Sequence, residues 1–237
     1  MSKEIIQAMS NPELRTMLFG EPGQGNFPVE LQLSCLGLSI EELQRLRGKR
    51  VLDIGCGKGE LVYFLNDVGI DAEGIDSRAP EDRVFIRQKV TGIAPMPGSI
   101  PRDNSSYDLV IAHSNPILEY AFTSYKDIIR AGKARGVGFG SDVDVDLREA
   151  SVNGTFFMLE ALRVMTPRGR FVCYPGLNKL EETLGYTLNR EGFVYEHKPV
   201  GVYGDFWKAH EKDFQEAFGF ENNNTSFMQH RTEIRRK

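Results

Sequence analysis

The stretch Val51-Leu52-Asp53-Ile54-Gly55-Cys56-Gly57-Lys58-Gly59-Glu60-Leu61 constrains this chain more than any other. An apolar run enters a turn with glycine at alternate positions, and an amphipathic segment follows without a break. That pattern is a strand delivering its carboxyl end to a loop, with a helix starting behind it. Glycine permits positive φ and removes the Cβ that would hold a ligand away from the backbone. The helix aims unpaired N–H groups and its positive dipole end at the same place. A ligand site at a strand tip is therefore predicted before any chemistry is assigned.

The rest of the chain alternates strand-like and helical runs. Val51 to Ile54 reads as a strand, Glu60 to Val68 as a helix stopped by Gly69, and Asp71 to Ile75 as a second strand ending in Asp76. Further strands are predicted at Val84 to Val90, Tyr107 to Ala112 and Arg170 to Tyr174, the last preceded by a helix from Asn153 to Met165. A helix at Glu181 to Arg190, a strand at Phe193 to Val200, a helix at Asp205 to Phe218 and a strand-like run at Ser226 to Ile234 complete the series. Such alternation predicts an α/β, doubly wound, Rossmann-like and mainly parallel sheet with helices on both faces. Residues 1–48 form a helical N-terminal extension in this reading, with a helix over Glu4 to Phe19 and a second capped by Ser39. Residues 49–237 form the main domain. Residues 121–150 fit the alternation badly: a glycine-rich cationic run, 131–140, meets the acidic run Asp142-Val143-Asp144-Val145-Asp146. A lid-like insert is the natural reading of that segment.

Bulk properties narrow the function classes. The net charge of −4 over 237 residues predicts neither DNA nor an anionic membrane as a partner. The locally basic end, Arg231 to Lys237, reads as a solvated tail. Three cysteines, Cys35, Cys56 and Cys173, stand far apart, so neither a disulfide framework nor a metal site is predicted. The acidic run lacks the central glycine and distal glutamate of a calcium loop. The N-terminus shows no apolar signal region and no apolar stretch reaches about 18 residues, so a cytoplasmic location is expected.

Spacing separates two kinds of glycine turn. The dinucleotide fingerprint is GxGxxG, with a diphosphate on the helix N-terminus. Here the spacing is GxGxG, and Glu60 stands where the third glycine would fall. A carboxylate there, with Asp53 behind it, disfavours a diphosphate and tolerates an ammonium-bearing ligand. A dehydrogenase is accordingly the last of the readings.

With these residues in view, the chain resembles the class I S-adenosylmethionine-dependent methyltransferases. The likeness rests on Val51 to Gly59, on Gly74-Ile75-Asp76, on Asp103 to Ile111 and on Glu160 to Phe171, in the order a doubly wound fold requires. It implies S-adenosyl-L-methionine as the cofactor. Gly55, Cys56 and Gly57 would pack against the methionine and ribose portions, with Cys56 a small loop residue and no nucleophile. Asp53 would hold the amino end, and Asp76, with Ser77 beside it, would accept the ribose hydroxyls. The family often places a carboxylate before strand four for the adenine amino group, and none stands near Gly98-Ser99 here. Backbone groups of Ser99 and Ile100, or the Asp103 side chain, would serve the adenine instead.

Methyl transfer is an in-line displacement, so positioning the acceptor carries much of the rate. A base is needed only where the acceptor loses a proton. The run from His113 to Tyr120 leaves strand four and is the first place to look for the acceptor. His113 has two readings, a general base and a residue that packs on the cofactor. Asn115-Pro116 lacks the second proline and aromatic of the amino-methylating motif. Tyr203, Phe206, Trp207, His210 and Phe214 read as a core helix face or as aromatic walls of an acceptor pocket. A small-molecule acceptor leads. The alternatives are a protein or RNA acceptor, with Lys126, Arg130, Lys133 and Arg135 meeting phosphates, and a catalytically silent cofactor-binding scaffold.

Overall fold

The computed structural model describes residues 29–76, 79–87, 100–113, 118, 122, 147–200 and 230–237. Two short helices come first, α1 at Val29–Leu36 and α2 at Ile40–Leu46, and the Ser39 side chain accepts from the Glu42 N–H to cap the second. Then follow β1 at Arg50–Ile54, α3 at Glu60–Asp67, β2 at Asp71–Asp76, β3 at Phe85–Arg87 and β4 at Tyr107–His113. A long helix, α4 at Leu147–Val164, leads directly into β5 at Met165–Tyr174. A π-helical turn at Glu181–Gly185 runs into α5 at Tyr186–Arg190, then β6 at Phe193–Pro199 and β7 at His230–Arg236.

These strands form one sheet in the order β3-β2-β1-β4-β5-β7-β6. β1 through β5 pair in parallel, and β7 lies antiparallel between β5 and β6. The doubly wound α/β sheet expected from the alternation is therefore present. It departs from the simple dinucleotide order, in which the sixth strand follows the fifth. Strand order reverses between β1 and β4, and the carboxyl ends of both point to the same rim.

Each face of the sheet is covered by its own apolar layer. Val51, Leu109, Val172 and Tyr174 point to one side, where Leu61, Val62 and Leu65 of α3 and Cys35 and Leu36 of α1 meet them. Leu52, Ile54, Val110, Phe171 and Ile234 point to the other, against Phe157, Met158, Ala161 and Leu162 of α4 and Leu188 of α5. Central strands are thus apolar on both faces, as buried parallel strands must be. Asp53 is the buried polar residue of β1.

Several boundaries differ from the sequence reading. β5 starts at Met165 rather than Arg170, because Met165 pairs with Tyr107 before a register shift brings Arg170 opposite Leu109. α4 begins at Leu147, inside the segment read as an insert, while residues 123–146 lie outside the described residues. The helix α1 had no sequence signal clear of the neighbouring glycines. The basic terminus is no solvated tail: Arg231 to Arg236 belong to β7, held between two strands. The helices read at Glu4 to Phe19 and Asp205 to Phe218 lie outside the described residues.

The turn from α3 to β2 is closed by one side chain. Asn66 donates from Nδ2 to the carbonyls of Val62 and Ala72, both at 2.9 Å, and its Oδ1 accepts from the Ala72 N–H. Replacing Asn66 by Ala removes these three side-chain hydrogen bonds, so Asn66→Ala should lower unfolding free energy by about 1–3 kcal/mol in urea titration. A loss of less than a few tenths would contradict the clamp.

Candidate functional site

The glycine loop is built by continuing the β1–β2 ladder one step beyond the strands. The Gly55 N–H donates to the Ile75 carbonyl at 2.8 Å, and the Cys56 N–H reaches the same oxygen at 3.4 Å. The Gly59 N–H then closes a turn onto the Cys56 carbonyl at 2.9 Å. Gly55, Gly57 and Gly59 take φ of +81°, +59° and +83°, values that side-chain-bearing residues rarely adopt. At Gly59 a Cβ would stand 2.2 Å from the Phe85 ring, so β3 also forbids a side chain there. α3 starts at Glu60, immediately behind the loop.

Asp76 ties this loop to β2. Its carboxylate accepts from the Gly57 N–H at 3.1 Å, and the residue is only 8% exposed. Asp53 lies on the adjacent strand, paired in register with Gly74 on one side and Ile111 on the other. Burial pushes the Asp53 carboxyl up to about 7, and the charge of nearby Asp76 pushes in the same direction. Two acidic groups thus share a nearly dry rim beside a loop that admits close approach.

The predicted residues divide clearly. Asp53, Gly55, Cys56, Gly57 and Asp76 come together at the ends of β1 and β2. The Cys56 side chain, however, turns down onto β2: a Cβ on Gly74 would lie 2.7 Å from its sulfur. Burial, then the charges of Asp53 and Asp76, push the Cys56 thiol well above its usual range. That environment disfavours a thiolate, and with it nucleophilic chemistry at this position.

His113 ends β4 across the reversal point from the glycine loop. It is buried, and its ring stacks on Tyr174 with centroids 5.4 Å apart and 25° between planes. Tyr174 is the site neighbour that sequence reading missed, although it occupies the same terminal position in β5. Ser77 and Ser99 lie outside the described residues, as do the aromatic residues from Tyr203 to Phe214.

Ile100 and Asp103 stand in the approach to β4. The Ile100 N–H faces the Glu160 carboxylate at 3.5 Å, its carbonyl accepts from Arg163 at 2.9 Å, and its side chain is buried in the core. Asp103 borders a cleft with Arg50, Arg102 and Arg163. That cleft lies at the amino end of β1 and β4, opposite the rim that carries the glycine loop. These groups are engaged in holding the chain before β4 onto α4. Among the described residues no cluster of His, Cys, Asp and Glu could hold a metal, and no helix is long and apolar enough to cross a membrane.

Asp53 sets a pH dependence for the ligand-free protein. Its folded value near 7 exceeds the ordinary 3.8, so the native state binds the extra proton. Stability is fully present at low pH and declines as pH rises from about 4 to about 7. Asp53→Asn should flatten that decline and raise stability at neutral pH in paired denaturation curves, on the order of a few kcal/mol. Parallel curves for both proteins would contradict the assignment.

Comparison with known proteins follows the same residues. Residues 38–108 match a family model described as "Methionine biosynthesis protein MetW". No curated protein matches the chain. Among solved structures, a 1,6-didemethyltoxoflavin-N1-methyltransferase of Burkholderia thailandensis, with S-adenosylhomocysteine bound, superposes with a TM-score of 0.44 at 12% identity, covering 99% of this chain and 89% of that one. A SAM-dependent methyltransferase from Aquifex aeolicus gives 0.41 at 14% identity, covering 94% and 96%. A TehB-like SAM-dependent methyltransferase from Corynebacterium glutamicum gives 0.36 at 16% identity, covering 87% and 93%. These likenesses are loose, and the strand order carries the fold by itself. In its motifs the chain resembles the class I S-adenosylmethionine-dependent methyltransferases, and its matched stretch holds both the glycine loop and Asp76.

Proposed function

We propose that the chain is an S-adenosyl-L-methionine-dependent methyltransferase acting on a small-molecule acceptor. The observation that carries this reading is the buried pair Asp53 and Asp76 beside the positive-φ loop, at the point where strand order reverses. Ligands of open α/β sheets bind outside the carboxyl ends of the strands at such a point. A ligand with an ammonium group offsets the burial and the Asp76 repulsion that raise Asp53. A vicinal diol suits Asp76, whose carboxylate offers two acceptor oxygens. A diphosphate would add negative charge to a rim that already holds two carboxylates, so the donor set fits the sulfonium cofactor better than a dinucleotide.

S-adenosyl-L-methionine supplies, when bound, a methyl group activated on a positively charged sulfur. The chain's own residues do the rest by placement. Gly55 and Gly57 admit close backbone approach, and Asp76 fixes the loop while receiving the ribose. Asp53 holds the amino end in its ionised form. His113, flattened on Tyr174, forms a wall on the β4 side, where an acceptor would enter. None of the three cysteines Cys35, Cys56 and Cys173 is in a disulfide.

Calorimetric titration with S-adenosyl-L-methionine and S-adenosylhomocysteine tests the reading. Both should bind, and Asp76→Ala should weaken each by about tenfold or more, equivalent to ~1.4 kcal/mol. Binding should also tighten as pH rises through the Asp53 value of about 7, since the ionised carboxylate is the binding form. Failure of both ligands to bind would sink the proposal. Transfer of labelled methyl groups to a metabolite extract then separates an enzyme from a silent cofactor-binding scaffold.

A further inference from the structure

We propose, on the reading that the glycine loop receives S-adenosyl-L-methionine, that Phe85 is a positioning residue for that cofactor: the tip of its ring props Gly59 and sets the shape of the loop. Phe85 opens β3 and stands opposite Gly74 of β2 in the parallel ladder. Its ring spans two glycines. The Cδ1 side covers Gly74, where a Cβ would come within 2.8 Å of it. The tip reaches Gly59, where a Cβ would overlap Cζ and Cε1. Sheet and loop thus meet different parts of one side chain.

The loop has little else with which to hold its shape. Gly55, Gly57 and Gly59 all take positive φ, and they make up three of the five residues from 55 to 59. Glycine loses more conformational freedom on ordering than any other residue, so such a loop is costly to keep in one form. The Gly55 and Gly59 N–H groups are tied to the Ile75 and Cys56 carbonyls. Between them the Gly57 N–H donates to Asp76, the group assigned to the ribose in the proposed function. Gly59 has no side chain of its own to pack. The ring of Phe85 fills the space between Gly59 and Gly74, so the loop cannot sink toward β2.

The prop is itself braced from outside the loop. The Tyr63 ring of α3 meets Phe85 edge-on, with centroids 5.2 Å apart and 76° between planes. The Phe85 N–H donates to the Asp82 carbonyl at 3.0 Å, and the Gly74 N–H to the Val84 carbonyl at 2.9 Å. Phe85 packs at the margin of the apolar layer rather than inside it. Its contact with Gly59 therefore bears on the loop more than on the core. A loop already held in its binding shape spares the ligand the cost of ordering it, and the gain is read in affinity.

Three substitutions separate the loop contact from the sheet contact. Phe85→Ala removes both. Phe85→Leu keeps apolar bulk over Gly74 and loses the tip at Gly59. Phe85→Met, unbranched and adaptable, is long enough to reach both glycines. Calorimetric titration with S-adenosylhomocysteine is run on the full chain well below each variant's melting temperature, so that every molecule is folded. The Ala and Leu variants should bind about tenfold more weakly, and the Met variant within about threefold of the parent. The Leu variant should keep the parent melting temperature within a few degrees. In the ligand-free chain, amide hydrogen exchange across residues 55–59 should quicken about tenfold in the Ala and Leu variants.

A purely structural role would lower the melting temperature and leave the affinity of folded molecules unchanged. Parent-like affinity in the Leu variant, unchanged exchange across the loop, or failure of Met to restore binding would each overturn the role of Phe85 and leave the proposed function standing. A parent chain that binds no S-adenosylhomocysteine would overturn the proposed function and the cofactor role of Phe85 together.

Discussion

Two carboxylates placed side by side with almost no water are the constraint on which the functional half of this molecule depends. Asp53, one residue before the end of β1, and Asp76, at the end of the neighbouring parallel β2, are 3% and 8% exposed. Neither would sit there for stability, since burying a charge without a cation is costly. The fold manages the problem in two ways. The loop bends over Asp76 and donates the Gly57 N–H to it, and Asp53 holds its proton to about neutral pH. In the proposed function, a cationic ligand offsets the charge that remains.

The sheet makes that arrangement rigid. β1 lies in the interior of the sheet with Val51, Leu52 and Ile54 fully buried, so the position of Asp53 is set by packing on both faces. Phe85 wedges against Gly59 and Gly74, which locks loop, β2 and β3 into one unit. On the far side of the reversal point, β4 and β5 end together in the stacked His113 and Tyr174.

Much of this was legible in the sequence because local pattern and tertiary role coincide. The glycine spacing, the apolar run of β1 and the acidic end of β2 each identify themselves within a few residues. β3, β6 and β7 are harder, since edge and antiparallel strands carry mixed polarity. The basic end had two overlapping readings, a strand-like run over Ser226 to Ile234 and a solvated tail from Arg231, because strand residues that alternate charged and apolar groups resemble a solvated end when their partners are unknown. The surroundings of Ile100 and Asp103 were illegible for a related reason. Counting back from β4 fixes their distance along the chain, while Glu160 and Arg163, some sixty residues later, decide where their atoms point. Tyr174 went unnoticed because only the pairing of β4 with β5 brings it to His113.

A crystal structure with S-adenosylhomocysteine is the most direct test of the central claim. Density is expected at the carboxyl ends of β1 and β4, with the ribose hydroxyls on the Asp76 carboxylate and the amino group turned toward Asp53. Density for the ligand anywhere else on the chain, or a nucleoside held without Asp76, would contradict it.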